Sequence, residues 1–240
     1  MTWAEADAGA EALDYIAQIR AEVQAMAPIL REHGRAAPVA ACPGWDVGDV
    51  VGHLGEVHRW ATEIVRTGEQ CATGWAPPSE VEELALWFES GADVLCETLE
   101  ETDPERSCWT FGYPPARAGF WRRRQTFEAA VHGFDVADAT GSPFTLPPAM
   151  ASRGVAEVTT FMFPRQVAMG RTPPLASPVD LRVTDTGETW RVGDAGESQA
   201  EIAGPAVALL LMLWQRRHDP VERTGDQAAL AAFDVARLTP

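Results

Sequence analysis

The stretch RQTFEAAVHGFDVADATG, residues 124–141, places Glu128 and His132 four residues apart. On a helix that spacing sets a carboxylate and an imidazole one turn apart on the same face. Two chemistries fit: a solvated ion pair, or two ligands converging on a cation. At about 100° of rotation per residue, Trp121, Gln125, Glu128, His132, Asp135 and Ala139 share one stripe. Arg124 falls at its edge, while Arg122 and Arg123 point elsewhere. The company of Trp121 and Gln125 turns the stripe inward, where a carboxylate and an imidazole are costly unless paired or metal-bound. Asp135 either orients a ligand from behind or simply closes the stripe.

A third ligand is available on DVVGHLGEVHRWATEIV, residues 49–65. His53 aligns there with Val57, Trp60 and Ile64 on the apolar stripe, whereas His58 falls opposite, among charged residues, and is expected outside. His53, Glu128 and His132 make a two-histidine, one-carboxylate set, which leaves open positions on zinc or another divalent cation, as metal catalysis requires. The residues alone leave a second reading open, that of core polar groups satisfied by one another.

Helices must position these side chains. Residues 8–33 carry Leu13, Ile16, Ile19, Val23, Met26 and Leu30 at helical spacing, with Gly34 as a stop. Asp46 is an N-cap for a second helix reaching Thr67, and Ser79 for a third running through Leu99. A long loop bearing Trp109, Phe111 and Tyr113, candidates to wall an apolar substrate, leads to a fourth helix over residues 120–139. Four helices joined this way predict a bundle. GSPFTLPPAM, residues 141–150, marks a boundary, giving domains 1–146 and 147–240. Beyond it a helix over residues 149–168 precedes three short alternating runs that read as an antiparallel meander. Helices near 205–217 and 226–236 complete a small α+β unit, so the fold class is α+β.

Composition narrows the function. A formal charge of -16 over 240 residues speaks against nucleic acid and anionic membranes as partners. The chain has no lysine, which removes Schiff-base chemistry and P-loop nucleotide binding. Cys42, Cys71, Cys96 and Cys108 form no CxxC pair, and the acidic N-terminus lacks an apolar run. Free thiols and a cytoplasmic location are expected. The longest apolar stretch, GPAVALLLMLW, falls short of the roughly 20 residues that span a bilayer. Cys42, Cys108, Trp45 and Trp60 read first as structural residues, with Trp60 and Gln125 the nearer candidates to line a cofactor.

CPGWDVGDVVGHLGEVHRW and RRQTFEAAVHGFDVADATG resemble the two signatures of the mycothiol-dependent maleylpyruvate isomerase family, whose first domain is a DinB-like metal-binding four-helix bundle. VDLRVTDTGETWRVGD, GPAVALLLMLWQRR and RTGDQAALAAF are similar to its small C-terminal domain, so the resemblance covers nearly the whole chain in order. It implies that His53, Glu128 and His132 bind zinc and that mycothiol fills an open position as thiolate. It further implies a small carboxylated unsaturated substrate, isomerised by thiolate addition, bond rotation and elimination. Arginines would hold the carboxylates in bidentate pairs, and Arg59, Arg124 and Arg216 are the candidates. Arg216 sits at a family position whose usual preceding glycine is Gln215 here. The resemblance does not separate an isomerase from a mycothiol S-transferase. Nor does it separate either from a specialised biosynthetic enzyme that uses no thiol, or from a non-catalytic small-molecule binder. Monomer and homodimer both stay open.

Overall fold

Four long helices build the first unit: α1 (Tyr15–His33), α2 (Val47–Thr67), α3 (Val81–Glu101) and α4 (Gly119–Thr140). The computed structural model describes residues 13–112, 114–193, 196–216 and 220–240. These divide into two compact units, Asp14–Thr145 and Leu146–Pro240. The part of the expected first helix before residue 13, and Tyr113 of the aromatic loop, lie outside the described residues.

Local chemistry sets the helix ends. Asp14 caps α1 by accepting from Ala17 N at 2.8 Å, and Gly34 closes it. Asp46 and Asp49 form a reciprocal capping box at the start of α2. The expected Ser79 cap is not used: α3 begins after Glu80, which makes no side-chain cap bond. Two arginines serve helix C-termini instead. Arg122 donates to Leu99 O and Thr102 O at the end of α3, and Arg106 donates to Arg66 O at the end of α2.

Cross-helix pairs fix the directions. Arg31 grips Glu82 and Glu89, and Arg20 grips Glu100, so α1 and α3 are antiparallel. Tyr15 O accepts from Thr126 while Glu22 meets Gly133, which makes α1 and α4 parallel. His53 faces Glu128 and Trp60 faces Trp121, so α2 opposes α4. The α2–α3 pair packs tightly: a Cβ on Gly55 would strike the Trp87 ring, and one on Gly91 the Arg59 guanidinium. Two apolar clusters fill the bundle, one around Met26, Leu54, Leu84, Phe88 and Val136, the other around Ile19, Ile64, Leu95, Leu99 and Trp121. Along α4, Glu128 and His132 fall between Trp121 of one cluster and Val136 of the other. The polar stripe thus crosses the gap between two greasy layers.

The second unit holds α5 (Pro148–Glu157), a π-helical turn (Val158–Met162), α6 (Phe163–Ala168), β1 (Val179–Val183), β2 (Thr189–Val192), β3 (Ala200–Gly204), α7 (Ala206–Leu213), β4 (Glu222–Gly225) and α8 (Gln227–Val235). Its sheet runs β2-β1-β3-β4. The expected meander is corrected here: β1 and β2 form an antiparallel hairpin, but β3 crosses to the far side of β1 and pairs with it in parallel. An unexpected fourth strand, β4, pairs antiparallel to β3. Short alternating runs announce strands but not which edge each will take. α7 ends earlier than expected, in a Schellman turn with Gln215 N to Met212 O at 2.9 Å and Arg216 N to Leu211 O at 2.8 Å. Gln215 takes the left-handed φ of 57° that this turn demands and that glycine usually supplies. No helix among the described residues is long and apolar enough to cross a membrane.

Candidate metal centre

α2 and α4 bring His53, Glu128 and His132 together, with one ligand atom from each within 4.8 Å of the others. Glu128 Oε1 is the shared point, 3.2 Å from His53 Nε2 and 3.7 Å from His132 Nε2. A tetrahedral ion with bonds of about 2.0–2.1 Å spaces its ligand atoms by about 3.3 Å. The three atoms therefore stand close to the separation such an ion requires, and the donor set suits zinc.

The surrounding residues fix how each ligand presents itself. Arg124, buried, donates to Glu128 Oε2 at 2.6 Å, which leaves Oε1 to face the imidazoles. His132 Nδ1 lies 2.9 Å from Asp135 Oδ2. A carboxylate only accepts, so Nδ1 carries the proton and Nε2 is turned toward Glu128. Burial opposes ionisation of Glu128, but the Arg124 guanidinium and the two imidazoles outweigh it and hold the carboxyl well below its usual range. Burial likewise works against a charged His132, yet bonds to Asp135, Cys42 and Glu128 hold that imidazole well above its ordinary value.

Two residues read from sequence as structural also reach this place. The loop before α2 is closed by Val39 N to Trp45 O at 3.0 Å and Trp45 N to Cys42 O at 2.9 Å. It sets the Trp45 indole 5.2 Å from the His53 ring and near-parallel to His132, while Cys42 Sγ approaches Asp135 Oδ2 at 3.8 Å. Trp45 is 37% exposed, so one side of the indole faces solvent. The signal was the capping box: it fixes where α2 starts, and the residues just before Asp46 must emerge at the His53 end of the helix.

Of the other candidates, Arg124 stands at the site and the rest lie away from it. Arg124 is engaged with Glu128 on its own helix. Arg59 lies over the Trp87 ring at 3.8 Å and donates to Gly55 O and Trp87 O, so its guanidinium ties α2 to α3. Arg216, in the second unit, donates to Trp214 O. Trp60 donates to Cys71 O and packs edge-on against Trp121 within a cluster that includes Trp109 and Phe111. The loop aromatics thus pack on one another, and Trp60 belongs to them. Gln125 is buried, and its Oε1 has no hydrogen-bond partner among the described residues. His58, expected outside, is fully buried and stacked on Phe88 of α3. α2 is packed against two neighbours, α4 and α3, so it has two buried faces where a single stripe was assumed.

A family model described as the mycothiol maleylpyruvate isomerase N-terminal domain matches residues 3–137, and the C-terminal domain model of the same name (MDMPI) matches residues 149–232. Among solved structures, the crystal structure of the mycothiol-dependent maleylpyruvate isomerase aligns over 94% of this chain and 97% of its own, with a TM-score of 0.64 at 14% identity. A histidine-to-alanine mutant of the mycothiol-dependent maleylpyruvate isomerase aligns over the same shares with a TM-score of 0.65 at 13% identity. At these identities the likeness is one of fold. No curated protein matches the chain.

Proposed function

The chain belongs to the mycothiol maleylpyruvate isomerase family, and from that premise we propose that it is a metal-dependent, mycothiol-using enzyme. Its reaction is a maleylpyruvate isomerase-like cis–trans isomerisation of a small carboxylated, unsaturated substrate. The observation that carries this reading is the convergence of His53 Nε2, Glu128 Oε1 and His132 Nε2 on one point between α2 and α4. A zinc ion held there would supply the Lewis acidity that keeps a thiol deprotonated near neutral pH.

The chain's own residues prepare that chemistry. Arg124 occupies one oxygen of Glu128, so the carboxylate offers a single ligand atom and leaves room in the shell. Asp135 holds the Nδ1 proton of His132 and fixes its ring orientation. Trp45 covers the two imidazoles from the loop side, keeping water from approaching the ligands across that face.

The test is cobalt substitution followed by titration with mycothiol. A sulfur-to-cobalt charge-transfer band is expected in wild type and absent in His53→Ala. If no band forms while some thiol-free metabolite binds tightly, the thiol-dependent reading falls. If the thiol binds and a stable conjugate accumulates from unsaturated acids, the enzyme is an S-transferase and the isomerase assignment falls.

A further inference from the structure

His132 has two ring nitrogens, and each faces a separate set of ligand atoms. Nε2 looks toward Glu128 and His53. Nδ1 looks toward Asp135, and the Cys42 thiol reaches the same carboxylate oxygen. One ligand atom each from Cys42, His132 and Asp135 lies within 4.8 Å of the others. We propose that Cys42, Asp135 and the Nδ1 edge of His132 form a second cation site, specific for a thiophilic divalent ion and set back to back with the first across one imidazole.

The donor set selects the ion. A thiolate, an imidazole and a carboxylate suit zinc or cadmium and disfavour magnesium and calcium, which take oxygen ligands. A zinc-like ion with sulfur at about 2.3 Å and oxygen at about 2.1 Å spaces those two atoms by about 3.6 Å. Cys42 Sγ and Asp135 Oδ2 already stand 3.8 Å apart. The Nδ1 to Oδ2 distance of 2.9 Å is that of a hydrogen bond and would open by about half an ångström when the proton gives way to the ion. The ion would take the places of the Cys42 thiol proton and the His132 Nδ1 proton, both going to solvent, and with Nε2 on the first ion the ring would bridge the two as an imidazolate.

The site is built and reachable. Asp135 is buried, and Cys42 is held in its loop by Cys42 N to Val39 O at 3.1 Å and by Trp45 N to Cys42 O. Cys42 itself is only half-buried, which opens a route from solvent. Occupation has a cost for the first site, because the Asp135–His132 hydrogen bond that orients the ring is replaced. A second equivalent of thiophilic ion should therefore slow the enzyme that the first equivalent activates.

Cadmium is the probe. Full-length protein carrying one equivalent of metal is titrated with cadmium and followed by metal content and ultraviolet absorption. A second equivalent is expected, accompanied by a thiolate-to-cadmium charge-transfer band. Cys42→Ser, which is nearly isosteric, should keep the first equivalent, lose the band and weaken the second at least tenfold. His53→Ala should weaken the first equivalent and retain the band. Binding that stops at one equivalent overturns the proposal, as does a band that survives Cys42→Ser, since it would belong to Cys71, Cys96 or Cys108. Loss of the band in His53→Ala also overturns it, by placing Cys42 in the shell of the first ion. Failure of the first site reads out separately, as metal content indifferent to His53→Ala.

Discussion

Glu128 and Glu22 are both carboxyls of the same bundle, as His132 and His58 are both its imidazoles, yet each pair is driven in opposite directions. Glu128 is held well below the usual carboxyl range by Arg124 and two imidazoles despite its burial. Burial pushes Glu22 up to about 7, against a hydrogen bond from Gln18 that pulls the other way. His132 is held well above its ordinary value by Asp135, Cys42 and Glu128. His58, with no hydrogen-bond partner at either ring nitrogen among the described residues, is pushed down to about 3 by burial. Burial alone strips a group of its charge. Burial among partners keeps the charge and fixes its position, and in this bundle that happens where α2, α4 and the loop before α2 meet.

The comparison breaks most visibly if the coupled set is not what holds metal. Removing an outer partner of a metal ligand costs about 10–100-fold in affinity, and removing a ligand costs more. His53→Ala should therefore lose metal affinity by at least about a hundred-fold, read by competition with a chelator. His58→Leu, measured beside it, should keep full affinity. Equal loss in both would show that position in the bundle, rather than mutual coupling, decides metal binding.

The next effect belongs to the isolated carboxyl. Glu22 has a folded pKa of about 7, above its value of 4.5 when exposed. The folded state therefore holds a proton that the unfolded chain has given up between those two values, and stability falls as pH rises through that window. At one pKa unit per about 1.4 kcal/mol, the loss reaches about 3 kcal/mol by pH 8. Glu22→Gln should raise stability by about that amount at pH 8 and by little near pH 4.5, measured by urea unfolding at the two pH values. A difference that does not change with pH would mean that Glu22 is not ionising in place.

Asp135 sharpens the comparison from within the coupled set. Asp135→Asn preserves shape but removes the charge that holds the His132 Nδ1 proton. A loss of about 10–100-fold in first-equivalent metal affinity is expected, with the fold retained by circular dichroism. No loss would mean that Glu128 and His53 orient the ring unaided.

How much of this was legible in the sequence depends on the range of the interaction. Helix periodicity and caps are local, so the starts and stops at Asp46 and Gly34, and the one-turn spacing of Glu128 and His132, could be read directly. Strand order is long-range, so the parallel pairing of β1 with β3 could not be read from their alternating patterns. His58 was misplaced because a helix with two packed faces breaks the single-stripe rule. Arg124 could be placed at the edge of the stripe, but its sequence neighbours did not reveal that Glu128 accepts from its guanidinium. Trp45 and Cys42 were passed over because a Pro-Gly loop shows its turn but not what the turn leans on.

At neutral pH the smallest effect belongs to His58, and its smallness is informative. A buried polar group without partners costs about 1–3 kcal/mol, and replacing it with an apolar group of similar size is often neutral or stabilising. His58→Leu should therefore lie within about 1 kcal/mol of wild type at pH 7, or above it, because the ring packs on Phe88 and makes no hydrogen bond to the described residues that could be lost. On acidification the two proteins should part. The folded pKa near 3 lies below the ordinary 6.5. The unfolded chain therefore binds a proton that the folded one refuses, and wild-type stability drops as pH falls from 6.5 toward 3. The leucine variant lacks that group and should lose less over the same interval. Chemical unfolding at pH 7 and pH 5 reads both ends. A variant that is much less stable at pH 7 would reveal a partner for His58, and would move that imidazole from the isolated set into the coupled one.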